Sequence, residues 1–301
     1  MAGGFTQIDL TQLPPPDVVE ALDFETIRAG MVADLTARAP DLAAVLALES
    51  EPAVKILEVA AYRELLLRQR VNDAARAVML ASAVGADLDQ LGALFGVVRF
   101  ELAPGDPAAV PPVAAVMESD GEFRRRIQLS LEGFSTAGPE GAYLFHALSA
   151  HADVLDASAI SPTPGDVVVS VLSRTGDGTA SDAVLDAVRD VLTAEDVRPL
   201  TDAVTVQSAA IVAYTIEATL LFRPGPDRTL VMAEAQAAAQ AYADAQHLLG
   251  QDITLSGIYA ALHRPGVHGV TLTSPAADIV IDPTEAPFAA LIDLYDGGVH
   301  G

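Results

Sequence analysis

Apolar positions recur every three or four residues through the first third of the chain. Further on, helical stripes alternate with short strand-like runs. Phe24, Ile27, Met31 and Leu35 draw one helical stripe that Pro40 ends, and a second helical block starts near Asp41. The strongest pattern covers about residues 51–84, with Ser50 or Glu51 at the cap, Pro52 in the first turn and Gly85 at the close. Steps of three and four give Leu57, Ala60, Glu64, Leu67, Val71, Ala74, Val78 and Ala81, a heptad seam with one polar member. Such a seam packs either inside its own domain or in a bundle with other chains. Glu64 either fixes the register or snorkels to solvent.

Asp87 and Gln90 resemble a capping box for a short helix through Leu94, and Gly96 stops it. Pro104-Gly105-Asp106-Pro107 through Pro111-Pro112 reads as irregular chain, the best domain boundary and a candidate hinge. Ser119 and Glu122 form a second capping box, opening a helix to about Glu132. Helix and strand then alternate: helix 140–150, strands 153–160 and 167–172, helix 181–193, strands 203–207 and 211–222. Helices 227–249 and 256–263 follow, then strands 267–273 and 278–281. Gly141–Leu172 and Ser256–Ile281 each run helix, strand, Ser-Pro turn, strand, which suggests a degenerate duplication.

The fold class is therefore α+β: an N-terminal helical region with a long helix suited to a bundle, followed by two small α/β sandwich domains. The expected divisions are an extended, proline-rich arm (1–21), a helical region (22–103), a Pro-rich linker (104–117), two α+β domains (118–208 and 209–290) and a C-terminal tail (291–301).

Composition changes this picture mainly by exclusion. The 301 residues carry 41 acidic and 17 basic side chains, a net charge of −24, and Lys55 is the sole lysine. Phosphate-rich partners need a basic footprint, so nucleic acid and anionic membrane surfaces are not expected partners. The 51% hydrophobic content includes 55 alanines, and the longest stretch free of charged side chains, Ala203–Ile216, has fourteen residues. A spanning helix needs about twenty, so no membrane insertion is expected. Arg28 is the first basic residue, so an ordinary signal peptide is not expected. Without cysteine there is no disulfide framework, thiolate zinc site or thiol nucleophile.

Candidate chemistry is thin. Thr175-Gly176-Asp177-Gly178-Thr179 lies between a strand and a helix, where glycine loops cradle phosphate. The third glycine of a dinucleotide fingerprint is missing, and Asp177 repels phosphate, so it reads as a connecting turn. His263 and His268 bracket Pro265-Gly266, which breaks the helix that would align them on a metal. His146 and His151 flank a helix end, a structural position. No Gly-x-Ser-x-Gly elbow occurs. No catalytic, cofactor-binding or metal-ligating set emerges. The adjacent Arg124, Arg125 and Arg126, with Arg63 and Arg68 beside the seam, are candidate interface arginines for acidic partners, although such arginines often pair within their own chain.

Several phrases are familiar in their order. They are Glu49-Ser50-Glu51-Pro52, Ala61-Tyr62-Arg63-Glu64-Leu65-Leu66-Leu67-Arg68-Gln69-Arg70-Val71-Asn72-Asp73, Gly85-Ala86-Asp87-Leu88-Asp89-Gln90-Leu91 and Leu94-Phe95-Gly96-Val97. Further on come Phe123-Arg124-Arg125-Arg126-Ile127, Ser135-Thr136-Ala137-Gly138-Pro139-Glu140-Gly141, Ile160-Ser161-Pro162-Thr163-Pro164-Gly165 and Leu262-His263-Arg264-Pro265-Gly266-Val267. Together they resemble the baseplate assembly protein J family of contractile phage tails and related tail-like particles, over roughly residues 15–290.

The resemblance implies a non-catalytic wedge component without cofactors, set around a central hub and assembled in the bacterial cytoplasm into a tail baseplate. The implied partners are a second copy of itself, a smaller baseplate wedge protein and a sheath-initiator-like wedge protein, with N-terminal helices sharing a bundle. A different reading is a cytoplasmic acidic enzyme with a small-molecule pocket between the two α+β units. The resemblance does not distinguish a phage from a bacteriocin-like tail, an injection system or a gene-transfer particle.

Overall fold

The computed structural model describes residues 8–14, 16–135, 137–225 and 227–300. Residues 1–7 and Pro15 of the expected arm, Thr136 of the quoted motif and the last residue of the expected tail lie outside them. The chain divides into two compact units, residues 6–99 with 119–124, and residues 100–118 with 125–301.

In the helical unit, α1 (Phe24–Arg38) starts at Asp23, whose carboxylate accepts the Thr26 N–H at 2.7 Å. A single turn, α2 (Ala43–Leu46), precedes α3 (Pro52–Ala77), and α4 (Gly85–Leu94) follows it. The α3 helix packs on α1 and turns Val54, Ala61 and Asn72 inward. Asn72 is 3% exposed and bonded at both ends of its amide: Nδ2 donates to Glu20 O at 2.9 Å and Oδ1 accepts Glu20 N–H at 3.1 Å.

The long helix ends seven residues before the expected Val84, because side chains take the carbonyls that would have continued it. Ser82 Oγ donates to Arg76 O, and the Arg124 guanidinium donates to Leu80 O and Ala83 O, all at 2.7–2.8 Å. The next helix begins at Gly85, not at the Asp87 capping box. The Asp120 carboxylate accepts the Gly85 N–H at 3.2 Å, so the cap comes from 35 residues away. Phe123 is fully buried beside Gly92, with the Arg99 guanidinium 4.6 Å above its ring.

The second unit begins with a ribbon where the sequence suggested irregular chain. Strands β1 (Glu101–Ala103) and β2 (Val116–Met117) pair antiparallel, and an Asp106–Val113 bridge continues the register toward the proline-rich tip. The Ser119–Glu122 capping box forms as read, opening α5 (Asp120–Leu129), which spans the division between the units. A 3₁₀ turn takes the place of its expected last turn.

The first α+β layer runs α6 (Glu140–Ala150), β3 (Val154–Ile160), β4 (Asp166–Ser173), α7 (Asp182–Leu192) and β5 (Ala203–Ser208). The sheet order is β3-β4-β5, antiparallel then parallel. Val167, Val169 and Val171 point into one core with Tyr143, Ala147 and Leu148 of α6 and Val184, Val188 and Leu192 of α7.

The second layer runs β6 (Ala210–Phe222), α8 (Arg228–Gln246), α9 (Leu255–Leu262), β7 (Val267–Ser274) and β8 (Glu285–Val299). Tyr214, Ile216, Ala218, Leu220 and Phe222 alternate inward beneath Val231, Ala235 and Ala239 of α8 and Ile258 and Leu262 of α9.

Two expectations fail in this layer. Residues 278–281 make only an isolated bridge, Ile279 to Ile253, and the expected C-terminal tail is, through Val299, part of a fifteen-residue strand parallel to β6. Asp293, Asp296, Gly297 and Gly298 interrupt the apolar alternation that would have announced it. The suggested duplication also fails in topology. In the first sheet the two strands after the helix are neighbours, whereas in the second, β7 and β8 lie on opposite sides of β6.

Candidate assembly surfaces

The α3 helix presents distinct faces. The inward face carries Val54, Ala61 and Asn72; the heptad seam is rotated from it by about a quarter turn, one residue being worth about 100°. Along the seam, Leu57, Ala60 and Glu64 are half-buried, while Leu67, Val71, Ala74 and Val78 are exposed. Leu67 is 68% exposed and Val78, at the C-cap, 70%. Ile56 continues the exposed stripe toward the N-terminus at 70%. A second apolar strip, Val59, Tyr62 and Leu66, is also exposed; Val59 and Tyr62 line a shallow groove with Lys55, Glu58 and Arg63.

Glu64 is the polar member of the seam, and it is engaged within the chain. Its carboxylate accepts from the Arg68 guanidinium at 2.6 Å, and Arg68 also reaches Glu20 at 3.1 Å. Hydrogen bonding to Glu64, first, and its charge raise the Arg68 pKa above the usual guanidinium value.

The five candidate arginines separate. Arg63 is exposed on α3. Arg68 is ion-paired but half-exposed. Arg124 is spent on the carbonyls that end α3. Arg125 forms an ion pair at 2.9 Å with Asp156, whose other oxygen accepts Leu249 N–H. Arg126 is buried with Glu118, its Nε 2.7 Å from Oε1, and lies 4.1 Å over the Phe100 ring. All three consecutive arginines thus bond within their own chain, to carbonyls and carboxylates.

The other chemistry-bearing residues are dispersed. The Thr175–Thr179 loop is a turn: the Asp177 carboxylate accepts its own loop's Thr179 N–H at 3.0 Å, and this bond lowers its pKa. His263 caps α9, while His268 stacks face to face on His300 at 3.8 Å. Partial desolvation, then the His300 charge, lowers the His268 pKa. Among the described residues no group of three or more His, Asp or Glu could hold a metal ion, and no helix is long and apolar enough to cross a membrane. Where the two α+β layers meet, Leu172, Ala209, Leu249 and Ala286 pack as an apolar cluster.

Sequence reasoning missed one surface altogether. From Pro107 to Met117 the ribbon has no charged side chain and is almost wholly exposed, Val110 at 98%. Its prolines masked the signal by suggesting a linker.

Comparison with known proteins returns three consecutive family matches. The Baseplate J-like N-terminal domain covers residues 49–106, the Baseplate J-like central domain 135–208, and the Baseplate J-like protein C-terminal domain 214–290. Baseplate protein J of Escherichia phage P2 is 53% identical over 296 residues, 97% of this chain and 98% of that protein. Among solved structures, a chain in the six-fold symmetrised cryo-EM structure of the anti-feeding prophage baseplate aligns with a TM-score of 0.37 and 15% identity. That alignment covers 60% of this chain and 44% of the other, so it spans less than half of that chain.

Proposed function

The chain belongs to the baseplate J-like family, and from that membership we propose that it is a structural wedge component of a tail baseplate, working through its contacts and not through catalysis. The observation that carries this reading is the unfilled stripe on α3. Ile56, Leu67, Val71 and Val78 are each more than half exposed along one helix face. A soluble acidic protein gains from covering such a stripe, at about 1.5–3 kcal/mol for each large aliphatic side chain fully buried. Its narrow, heptad-spaced shape suits another helix.

In this reading a second copy and a smaller wedge protein supply the facing helices, and a sheath-initiator-like protein joins the wedge. The α+β layers link neighbouring wedges around the hub. A ring built from several moderate interfaces can hold one arrangement and release to another when the sheath contracts. Arg63, exposed on the rim of the seam, is suited to a carboxylate of an incoming helix.

Co-expression with the smaller wedge protein tests the proposal. The wild-type chain is expected to co-purify as a complex. Leu67→Asp with Val71→Asp is expected to abolish the complex without shifting the melting temperature of the isolated chain, because both side chains are already in water. A wild-type chain that stays monomeric and never co-purifies overturns the reading.

A further inference from the structure

The β1–β2 ribbon has a short, bulged pairing, but its outer edge has no side chain that would repel a second strand. Monomeric proteins guard edge strands with lysine, inward charge, proline or a covering element. The outer edge from Val113 to Met117 reads Val-Ala-Ala-Val-Met, with no charge and no proline, and all five residues are exposed. Its register is fixed from inside. Val113 exchanges both backbone hydrogen bonds with Asp106, each 2.9 Å, and Val116 stands opposite Ala103. Strand alternation therefore turns Val113 and Ala115 toward β1 and aims the N–H and C=O groups of Ala114 and Val116 outward. The carboxylates that bracket the segment are both occupied. Asp106 accepts Ala108 N–H at 2.9 Å, and Glu118 is buried on Arg126.

We propose that this edge pairs with the same edge of a second copy, antiparallel about a two-fold axis at Ala115. Two features of the segment select that occupant. It is self-complementary: a two-fold at Ala115 sets Val113 against Met117 and Ala114 against Val116, with the smallest side chains at the axis. It is also charge-free, in a chain of net charge −24. A basic partner would be met by carboxylates; an uncharged edge suits a partner that is itself strongly acidic, as a second copy is. A five-residue pairing buries less than the roughly 1,000 Å² of a free-standing interface, so on its own it is a weak contact that shows at high protein concentration. The contact is separate from the α3 stripe and does not depend on it.

The absence of cysteine makes the test clean. Ala115→Cys places one thiol per chain at the axis, and a non-hydrogen-bonded antiparallel pair brings the two Cα atoms to about 4.5 Å, within disulfide reach. Under mild oxidation Ala115→Cys is expected to form covalent dimer at least about tenfold faster than Val110→Cys, a thiol at the more exposed tip. Adding Val116→Lys is expected to remove that advantage. The Leu67→Asp/Val71→Asp background is expected to keep it, which separates this contact from the helical bundle. Equal rates at both positions, or no Ala115→Cys dimer up to about 1 mM protein, overturn the proposal.

Discussion

Breaking the Glu118–Arg126 pair is expected to destabilise the second unit strongly, and removing both charges is expected to restore most of the loss. The two side chains are 3% and 6% exposed, and the guanidinium Nε donates to Oε1 at 2.7 Å. Glu118 also closes the base of the ribbon: its Oε2 accepts Phe100 N–H at 3.1 Å and its own N–H donates to Phe100 O at 2.9 Å. Glu118→Ala removes the carboxylate from a buried guanidinium, and breaking a buried ion pair by taking away one partner costs about 3–5 kcal/mol. Glu118→Gln keeps an acceptor and loses the charge, for about 1.5–3 kcal/mol. Glu118→Leu with Arg126→Met removes the desolvation penalty along with the attraction, and is expected within about 1–2 kcal/mol of the parent.

Urea unfolding followed by far-ultraviolet circular dichroism gives the free energies, and amide exchange at Phe100 reports the ribbon base directly. Additive single substitutions, with the double variant as unstable as their sum, would show the two charges to be uncoupled. A Glu118→Ala cost below about 1 kcal/mol would mean that water reaches Arg126 and the pair is not buried in solution.

Three further outcomes follow from other parts of the molecule. Gly92→Ala puts a methyl group directly against the Phe123 ring and 3.0 Å from Val97 O, so a loss of about 1–3 kcal/mol is expected in a thermal melt. Burial lowers the His146 pKa below its ordinary value, against the raising effect of its bond to Gly133 O. The unfolded chain therefore takes the proton first. Stability falls as pH drops from about 6.5 to the lowered folded value and is unaffected above it, and His146→Asn is expected to flatten that slope in denaturation curves. Because copies of net charge −24 repel, self-association measured by sedimentation is expected to strengthen when salt rises from about 0.05 to 0.5 M; weakening would place ion pairs at the contact.

The residues that could be read from sequence are those whose partners are near in the chain. Val167, Val169 and Val171 alternate, Val184, Val188 and Leu192 step by four, and Ser119 with Glu122 caps α5; each signal is local and each element formed. What failed depended on distant groups. Arg124 ends α3 from 44 residues away, and Asp120 caps α4 from 35. The β8 strand, broken in pattern by Asp293, Asp296 and two glycines, is held in place by the backbone of β6. On α3 the apolar period was legible, but two stripes one residue apart share it. Val54, Ala61 and Asn72, the last locked onto Glu20, show which one faces the unit's interior.

Charge and exposed apolar surface divide the molecule between them, and that division bears on how copies meet. With 41 carboxylates in 301 residues, an eleven-residue stretch holds about 1.5 acidic groups on average, and the exposed Pro107–Met117 holds none. On the α3 seam the single carboxylate, Glu64, is neutralised by Arg68. Both proposed association surfaces thus lack an unpaired carboxylate among their described residues. Elsewhere the acidic coat repels any approach out of register, so it narrows the orientations in which two copies can touch. The net charge gives little attraction to any partner and acts instead as a filter on geometry. In the proposed wedge, a ring that assembles in one arrangement and later shifts to another would need contacts specific in orientation but modest in strength, a combination that small apolar patches within an acidic surface can provide.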